Sequence, residues 1–203
     1  MNEPSRWAAV NRTTDAKGYA AHFAALEARG VDIHGEATLV AALVPPGAAV
    51  LDAGCGTGRV AIRLAELGYR CVGVDNDAAM LSEARAASDQ VTWRLADLLD
   101  IDRIAESFDL AIAAGNVIPL LAPGTEPAVV AGLADRLLPD GLLLAGFGLD
   151  AIHLPIAAAP FGLAEYDEWC AAAGLELVDR FSTWDRARYD GGPYAVTIHR
   201  RLT

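Results

Sequence analysis

Cysteine is scarce in this sequence, and the few cysteines follow no pattern of metal binding or disulfide pairing. Cys55, Cys71 and Cys170 are an odd number of thiols, and their spacing is not that of metal ligands. Disulfides persist mainly in oxidising compartments. We therefore expect no bound metal, and we expect reduced thiols in a cytoplasmic protein.

Long apolar runs are also missing. The longest uncharged stretch, residues 110–125, is shorter than the roughly 20 residues that a membrane span needs. It is also interrupted by Gly115, Pro119 and Pro123. The first ten residues, MNEPSRWAAV, contain no apolar run of the kind found in a signal peptide. We expect neither a membrane-spanning helix nor a secretory leader.

Positive charge is in short supply, because 16 Lys and Arg residues face 27 Asp and Glu residues, a formal net charge of −11. Phosphate backbones and anionic membranes would repel most of such a surface. We therefore expect no nucleic-acid partner and no membrane partner, and the sequence leaves the oligomeric state open.

Nothing in the sequence marks a second domain. At 203 residues, 53% of them hydrophobic, the chain is long enough to bury one substantial core. It contains neither an internal repeat nor a low-complexity linker. We predict a single domain over residues 1–203, in which 1–47 form an N-terminal helical cap and 48–203 form the core.

From residue 48 onward, apolar segments typical of buried strands alternate with segments typical of helices. This alternation indicates a parallel sheet covered on both faces, with a ligand crevice at the carboxyl ends of its strands. Two helices, 19–29 and 36–44, are predicted before the sheet. The predicted strands are 48–53, 70–75, 91–96, 108–114 and 142–148, and the helices between them are 60–67, 77–87 and 126–138.

The last part of the chain has a different pattern. A helix at 165–173 is followed by strands at 175–184 and 193–200, which are joined through a turn at 190–192. So short a connection favours antiparallel pairing, since a parallel crossover needs about a dozen residues or more. The sequence thus predicts an α/β fold. Its single doubly wound sheet is mostly parallel and seven-stranded, with an antiparallel C-terminal strand.

A glycine-rich loop follows the first strand, where residues 48–59 read AAVLDAGCGTGR. Its glycines permit positive φ and allow a ligand to lie against the backbone. A dinucleotide fingerprint would have Gly or Ala where Arg59 stands, and a P-loop would end in Gly-Lys-Ser/Thr. A carboxylate at Asp52 would repel a pyrophosphate but suits a ligand that carries an ammonium and a sulfonium.

This loop resembles the first motif, Asp-x-Gly-x-Gly-x-Gly, of the class I S-adenosylmethionine-dependent methyltransferases. The resemblance extends from about residue 48 to residue 200 and includes the antiparallel final strand. It implies S-adenosylmethionine as the cofactor, S-adenosylhomocysteine as the product and a Rossmann-like fold. A closer likeness, which includes 30–37 and 115–121, is to small bacterial methyltransferases of unassigned substrate.

The resemblance also implies a set of donor-binding residues at the strand ends. Asp75 would accept hydrogen bonds from the ribose hydroxyls, Asp97 would accept from the adenine amino group, and the segment at Asn116 would lie beside the methionine moiety. By their residue types alone, Asp75 could instead cap a helix, Asp97 could belong to a surface turn, and Met80 could fill the core. The full set is Asp52, Ala53, Gly54, Cys55, Gly56, Asp75, Asn76, Met80, Asp97, Leu98, Gly115 and Asn116.

The methyl acceptor is less well defined. Nucleic-acid amino-methylating enzymes of this class carry Asn/Asp-Pro-Pro-aromatic after the fourth strand, whereas Asn116 is followed by Val-Ile-Pro-Leu. A small molecule remains by elimination, and no catalytic residue is assigned. The candidates for the acceptor side are Tyr19, His22, His34, Glu36, Asn116, His153, Trp184 and Asp185.

Two other functions remain open at this point. A non-catalytic S-adenosylmethionine-binding or sensor domain would have the same donor site. A nicotinamide-dependent oxidoreductase is less compatible with the sequence. Its short-chain members need a Tyr-x-x-x-Lys pair beyond the glycine loop, and the single lysine, Lys17, precedes that loop.

Overall fold

The structure, a computed structural model, describes residues 3–10 and 16–203. Two short 3-10 helices cover Leu98–Arg103 and Ile118–Leu120. The α-helices are α1 (Arg6–Val10), α2 (Ala16–Ala28), α3 (Gly35–Leu43), α4 (Arg59–Glu66), α5 (Ala78–Ala87), α6 (Glu126–Asp135) and α7 (Leu163–Ala172). The strands are β1 (Ala49–Ala53), β2 (Arg70–Asp75), β3 (Thr92–Leu95), β4 (Phe108–Ala113), β5 (Leu137–Gly148), β6 (Leu175–Phe181) and β7 (Tyr194–Arg201).

These strands form one seven-stranded sheet in the order β3-β2-β1-β4-β5-β7-β6. The pairs from β3 across to β5 are all parallel. Strand β7 lies between β5 and β6 and is antiparallel to both. The predicted fold class is therefore confirmed, including the antiparallel strand near one edge of the sheet.

Helices cover both faces of this sheet, so that a hydrophobic core lies on each face. Successive residues of β1 pack alternately into these two cores. Leu51 packs in one core with Leu133 of α6 and Tyr166 of α7, and all three are fully buried. Val50 packs in the other core, with Leu64 of α4. Neighbouring side chains of a strand point to opposite faces, so a strand buried on both sides is apolar throughout.

The region between α6 and β5 differs from the prediction. The helix predicted to reach residue 138 ends at Asp135, and β5 begins at Leu137 rather than at residue 142. Phe108 pairs with Leu137 and Leu110 pairs with Leu142, so the register shifts between these two pairs. The segment 139–141 is thus an irregularity inside a long strand, and Asp140 takes a positive φ of 62° there.

Strand β6 is shorter than predicted. It ends at Phe181, which pairs with Val196 and also forms an isolated bridge to Arg188. The chain leaves the sheet at this point, and twelve residues, 182–193, connect β6 to β7. The sequence predicts Trp184 at the end of a strand, but Trp184 lies in this connection.

Helix α3 belongs to the packed body of the protein. Its residues Ala37, Leu39 and Val40 are buried in the core on the α4 side of the sheet. Helix α2 in turn lies against α5. The division of the chain at residue 47 into a cap and a core stays a prediction.

Candidate functional site

A cleft opens at the carboxyl ends of β1, β2 and β4, on the side where the glycine loop leaves the sheet. Ten of the twelve predicted donor-site residues line it. They are Asp52, Gly54, Cys55, Gly56, Asp75, Asn76, Met80, Asp97, Leu98 and Gly115.

The glycine loop is held against the end of β2 by its own backbone. The N–H groups of Gly54 and Cys55 both donate to the carbonyl of Val74, at 2.8 and 3.0 Å. Gly54 has a φ of +73°, and a Cβ there would lie 2.6 Å from a methyl carbon of Val117. Gly56 has a φ of +54°, and a Cβ there would meet nothing within 4 Å. One glycine therefore permits close packing, while the other leaves backbone open to the cleft.

Asp75 closes this loop from the end of β2. One carboxylate oxygen accepts from the N–H of Gly56 at 2.7 Å, and the other accepts from the N–H of Asp77 at 2.8 Å. Burial raises the pKa of Asp75, although these two backbone hydrogen bonds oppose the shift. Each carboxylate oxygen can accept a further hydrogen bond. Asp75 thus both fixes the loop and offers acceptors to a ligand with two neighbouring hydroxyls.

Asp52 is a buried carboxylate at the end of β1, with 3% of its surface exposed. One oxygen accepts from the N–H of Ala61 in α4 at 3.1 Å. Burial raises the pKa of Asp52 to about 7, while the hydrogen bond from Ala61 and the nearby Arg59 guanidinium oppose the shift. A cationic ligand group beside it would favour the ionised form.

Asp97 and Asn76 also line the cleft. Asp97 precedes the first 3-10 helix, and its carboxylate accepts from the N–H of Leu99 at 3.0 Å. Asn76 donates weakly to the other oxygen of Asp97 at 3.5 Å. The helix cap of α5 is Asp77, which accepts from two backbone N–H groups, rather than Asp75. Met80 is only 2% exposed, so it belongs to the core as well as to the cleft wall.

Two predicted residues, Ala53 and Asn116, are not among those that line the cleft. Ala53 is fully buried within β1. Asn116 takes a positive φ of 69°, and its amide donates to the carbonyl of His153 at 2.9 Å while it accepts from the N–H of Gly148 at 2.7 Å. Asn116 therefore ties the segment after β5 to the end of β4.

The N-terminal helices roof the cleft. Trp7 of α1 and Tyr19 of α2 line it, and their rings meet edge-on with centroids 6.4 Å apart. Of these, sequence reasoning named only Tyr19. Nothing in the spacing of Trp7 indicates that it returns to a site built more than forty residues later. Other lining residues that were missed are Ser5, Thr57, Arg59, Val60, Ala96, Ala114, Val117, Leu120, Leu121 and Ala122.

Arg59 connects the roof to the glycine loop. Its guanidinium makes a two-pronged ion pair with Glu36 of α3, at 2.5 and 2.9 Å, and donates to the carbonyl of Ile33. It also lies over the ring of Phe23, 4.7 Å from the centroid. Helix α2, helix α3 and the segment between them therefore all contact Arg59, the first residue of α4. Glu36, a candidate on the acceptor side, is committed to this pair.

Two other acceptor candidates, His153 and Trp184, lie at the neighbouring strand ends. The indole N–H of Trp184 donates to the hydroxyl of Tyr194 at 3.1 Å, and the ring of His153 lies 6.3 Å from that of Tyr194. His153 Nδ1 is 2.8 Å from a carboxylate oxygen of Asp150. A Cβ on Gly146 would lie 2.1 Å from the Trp184 ring, so the indole rests directly on β5. None of these rings is among the residues that line the cleft.

The remaining candidates lie elsewhere. His34 is 3.3 Å from a carboxylate oxygen of Glu27, His22 meets Phe23 edge-on, and Asp185 accepts from the hydroxyl of Thr183. These three are not among the lining residues either. Of the acceptor candidates, the structure therefore brings only Tyr19 to the cleft wall.

Comparison with known proteins agrees with this architecture. A family model for methyltransferase domains matches residues 50–141. The crystal structure of a TehB-like S-adenosylmethionine-dependent methyltransferase from Corynebacterium glutamicum is 33% identical, with a TM-score of 0.81. The match covers 93% of this chain and 98% of that one. The chain belongs to the class I S-adenosylmethionine-dependent methyltransferases. S-adenosylmethionine is accordingly the cofactor of this methyltransferase.

More distant relatives agree with this assignment. The methyltransferase CcbJ from Streptomyces caelestis is 25% identical, with a TM-score of 0.73, over 83% of this chain and 89% of that one. YqeM of Bacillus subtilis, a candidate methyltransferase, is 29% identical over 52% of this chain. The methyltransferase spans less than half the length of the curated relatives that it matches, 44% and 40%.

The cleft of the methyltransferase suits this cofactor in its own geometry. The buried carboxylate of Asp52 complements a ligand ammonium, and the carboxylate of Asp75 complements a vicinal diol. A Cβ on Gly56 or Gly115 would project into open space, so both leave room for a ligand against the backbone.

Over residues 3–10 and 16–203, no group of three or more His, Cys, Asp or Glu side chains is placed to hold a metal ion. Burial raises the pKa of the Cys55 thiol well above its usual range, so this cysteine is a neutral part of the wall.

Proposed function

We propose that this methyltransferase transfers the methyl group of S-adenosylmethionine to a small-molecule acceptor. The observation that carries the proposal is the cleft itself, in which the glycine loop, Asp52 and Asp75 lie beneath a roof formed by Trp7 and Tyr19. A roof so close to the loop favours an acceptor that can be enclosed over one that must lie across the surface.

The distribution of charge supports the same acceptor class. Within the described part of the chain, Arg59 is the only cation that lines the cleft, and it is already paired with Glu36. A formal net charge of −11 also opposes docking on a nucleic acid. We therefore propose that the acceptor is not a nucleic acid. Among solved structures of similar fold, CalS10 is an amino pentose methyltransferase and NodS is an N-methyltransferase.

The residues of the chain have three tasks in this reaction. S-adenosylmethionine supplies a methyl group on a positively charged sulfur, which is already a good leaving group. Asp52 and Asp75 would hold the donor by its ammonium and its ribose, and Gly54 and Gly56 would bring it close to the backbone. Trp7 and Tyr19 would exclude water, so that acceptor and methyl remain in line at a short distance. A general base is required only for an acceptor atom that arrives protonated.

Two experiments test this proposal. Titration calorimetry with S-adenosylmethionine and with NAD should show preferential binding of S-adenosylmethionine, and preferential binding of NAD would contradict the proposed site. Incubation with methyl-labelled S-adenosylmethionine and small-molecule extracts should then label an acceptor. Binding of the donor without label transfer to any of several extracts would instead favour a non-catalytic sensor.

The cellular location and the domain organisation of the protein stay predictions. The described residues include no helix long and apolar enough to cross a membrane. We propose a cytoplasmic location, on the basis of the cysteine usage noted above. We also propose that residues 1–203 form a single domain with an N-terminal cap.

A further inference from the structure

Helix α1 lies at the cleft without a core of its own. It has five residues, and none of them is buried. Hydrophobic packing therefore contributes little to holding it in place. The side chains of Ser5 and Trp7, which flank Arg6 in the sequence, nevertheless line the cleft. A segment that forms part of the wall of a binding site but packs so lightly needs another attachment.

Arg6 supplies that attachment. Its guanidinium donates to the carbonyls of Pro119 and Leu121, at 3.3 and 3.1 Å, and to a carboxylate oxygen of Glu126 at 2.6 Å. The backbone N–H of Arg6 also donates to the carbonyl of Leu121 at 3.3 Å. All four bonds reach the single segment that runs from the second 3-10 helix to the first residue of α6. The cleft-lining residues 120–122 belong to the same segment.

The partner of Arg6 is almost completely buried. The side chain of Glu126 is 5% exposed, and that of Arg6 is 21% exposed. If α1 moved away, Glu126 would lose the counter-charge that it has in this buried position, and removal of one partner of a buried ion pair is unfavourable. The ion pair therefore favours the position of α1 at the cleft much more than an ordinary surface pair would.

We propose that Arg6 and Glu126 form a latch that holds α1 closed over the donor, and that release of S-adenosylhomocysteine requires this latch to open. This inference rests on the proposed function of the cleft as the donor site. Neither residue lines the cleft, so both are positioning residues that act through Ser5 and Trp7. The latch sets how long donor and product stay bound, and it leaves the contacts to Asp52 and Asp75 unchanged.

Stopped-flow fluorescence with S-adenosylhomocysteine tests the latch. The association and dissociation rate constants are measured for the wild type, Arg6→Met, Glu126→Gln and the double variant. We expect Arg6→Met to raise the dissociation rate about tenfold while the association rate changes much less, because loss of a closing contact acts mainly on dissociation. Arg6→Lys keeps the charge and should restore part of the slow release. The double variant should release product no faster than the faster single variant.

The control is a pair of variants at an exposed ion pair on α4, Arg63→Met and Glu66→Gln, which should release the product at the wild-type rate. Thermal melts establish that each variant is folded at the temperature of the measurement. If the wild type binds no S-adenosylhomocysteine, the donor site is wrong and the latch with it. If the wild type binds it but Arg6→Met and Glu126→Gln release it at the wild-type rate, the latch alone is wrong. Lower melting temperatures with unchanged rates would also overturn it, since they would show a purely structural role.

Discussion

At the scale of single residues, the aspartates of the cleft combine local structural bonds with free acceptor capacity. Asp52, Asp75 and Asp97 each accept a hydrogen bond from a backbone N–H at the start of the following segment. A carboxylate has two oxygens and about four acceptor positions, so one backbone bond, or two at Asp75, leaves room for a ligand. An aspartate at one of these positions can therefore stabilise a turn or helix start and bind a ligand at the same time.

Substitution of Asp75 should weaken donor binding. Asp75→Ala removes the acceptors proposed for the ribose hydroxyls and also the bond that fixes Gly56. We expect a loss of about 1–3 kcal/mol in the binding free energy of S-adenosylmethionine, which is roughly 5- to 150-fold in Kd. Titration calorimetry measures it, with Asp102→Ala as a control at an exposed aspartate. An unchanged Kd for Asp75→Ala would contradict the role assigned to this carboxylate.

Asp52 should make donor binding depend on pH. Its pKa of about 7 in the empty cleft means that the carboxyl group is largely protonated at pH 6 and largely ionised at pH 8. Because the ionised form is the one that pairs with an ammonium, Kd should be about tenfold higher at pH 6 than at pH 8. Asp52→Asn should bind the donor weakly at both values. Asp109→Asn is the control, since Asp109 accepts a backbone N–H at 2.7 Å from Ala49, at the opposite end of β1.

The contribution of Asp52 to the free energy of unfolding should depend on pH in the opposite direction from its contribution to donor binding. Burial raises the folded-state pKa of Asp52 to about 7 from its ordinary value of 3.8. Its favourable contribution is therefore complete below pH 4 and is lost as the pH rises to 7, because the unfolded chain ionises first. Asp52→Asn should accordingly unfold with a free energy about 1–4 kcal/mol higher than the wild type at pH 8. Urea denaturation measures the difference, and equal stabilities at pH 8 would show that the carboxylate is not desolvated.

At the scale of secondary-structure elements, the turn from β1 into α4 depends on glycine for two separate reasons. Gly54→Val places a β-branched side chain at a φ of +73° and brings it against Val117. We expect S-adenosylmethionine binding to be lost while the far-ultraviolet circular dichroism stays native. Gly30→Val is the matched control, since it has a φ of +77° but no atom within 4 Å of its new Cβ. Retained binding in Gly54→Val would mean that the loop is not the donor site.

The elements most accurately predicted from the sequence are those whose two faces are both buried. Strand β2 has the predicted bounds, and β1 and β4 differ by one residue at an end. Errors arose where packing overrides local signals. The Pro-Asp-Gly at 139–141 is a turn in most settings, yet here β5 continues through it because Leu137 pairs with Phe108. Helix α1 was missed because it has no amphipathic pattern and is held by the polar contacts of Arg6.

At the scale of the whole molecule, the excess of negative charge should make stability sensitive to salt. A formal net charge of −11 gives self-repulsion that is larger in the compact folded state. Raising the salt concentration from roughly 0.01 to 0.1 M shortens the screening length from about 30 to about 10 Å. We expect Tm at pH 8 to rise by a few degrees, as measured by calorimetry. The increase should become small at an acidic pH where the net charge approaches zero, and a pH-independent effect would point to another cause.

The sequence by itself determined the fold class and the cofactor class, and ten of the twelve residues that it predicts for the donor site line the cleft. It could do so because these properties depend on local patterns, namely the apolar strands, the glycine loop and the acids at successive strand ends. Only the tertiary structure decided which side chains meet across long separations in the chain. The contacts of Arg59 with Glu36, of Trp7 with Tyr19 and of Arg6 with Glu126 join segments far apart in sequence. Such contacts depend on how the helices pack against the sheet, and no spacing in the sequence encodes that packing.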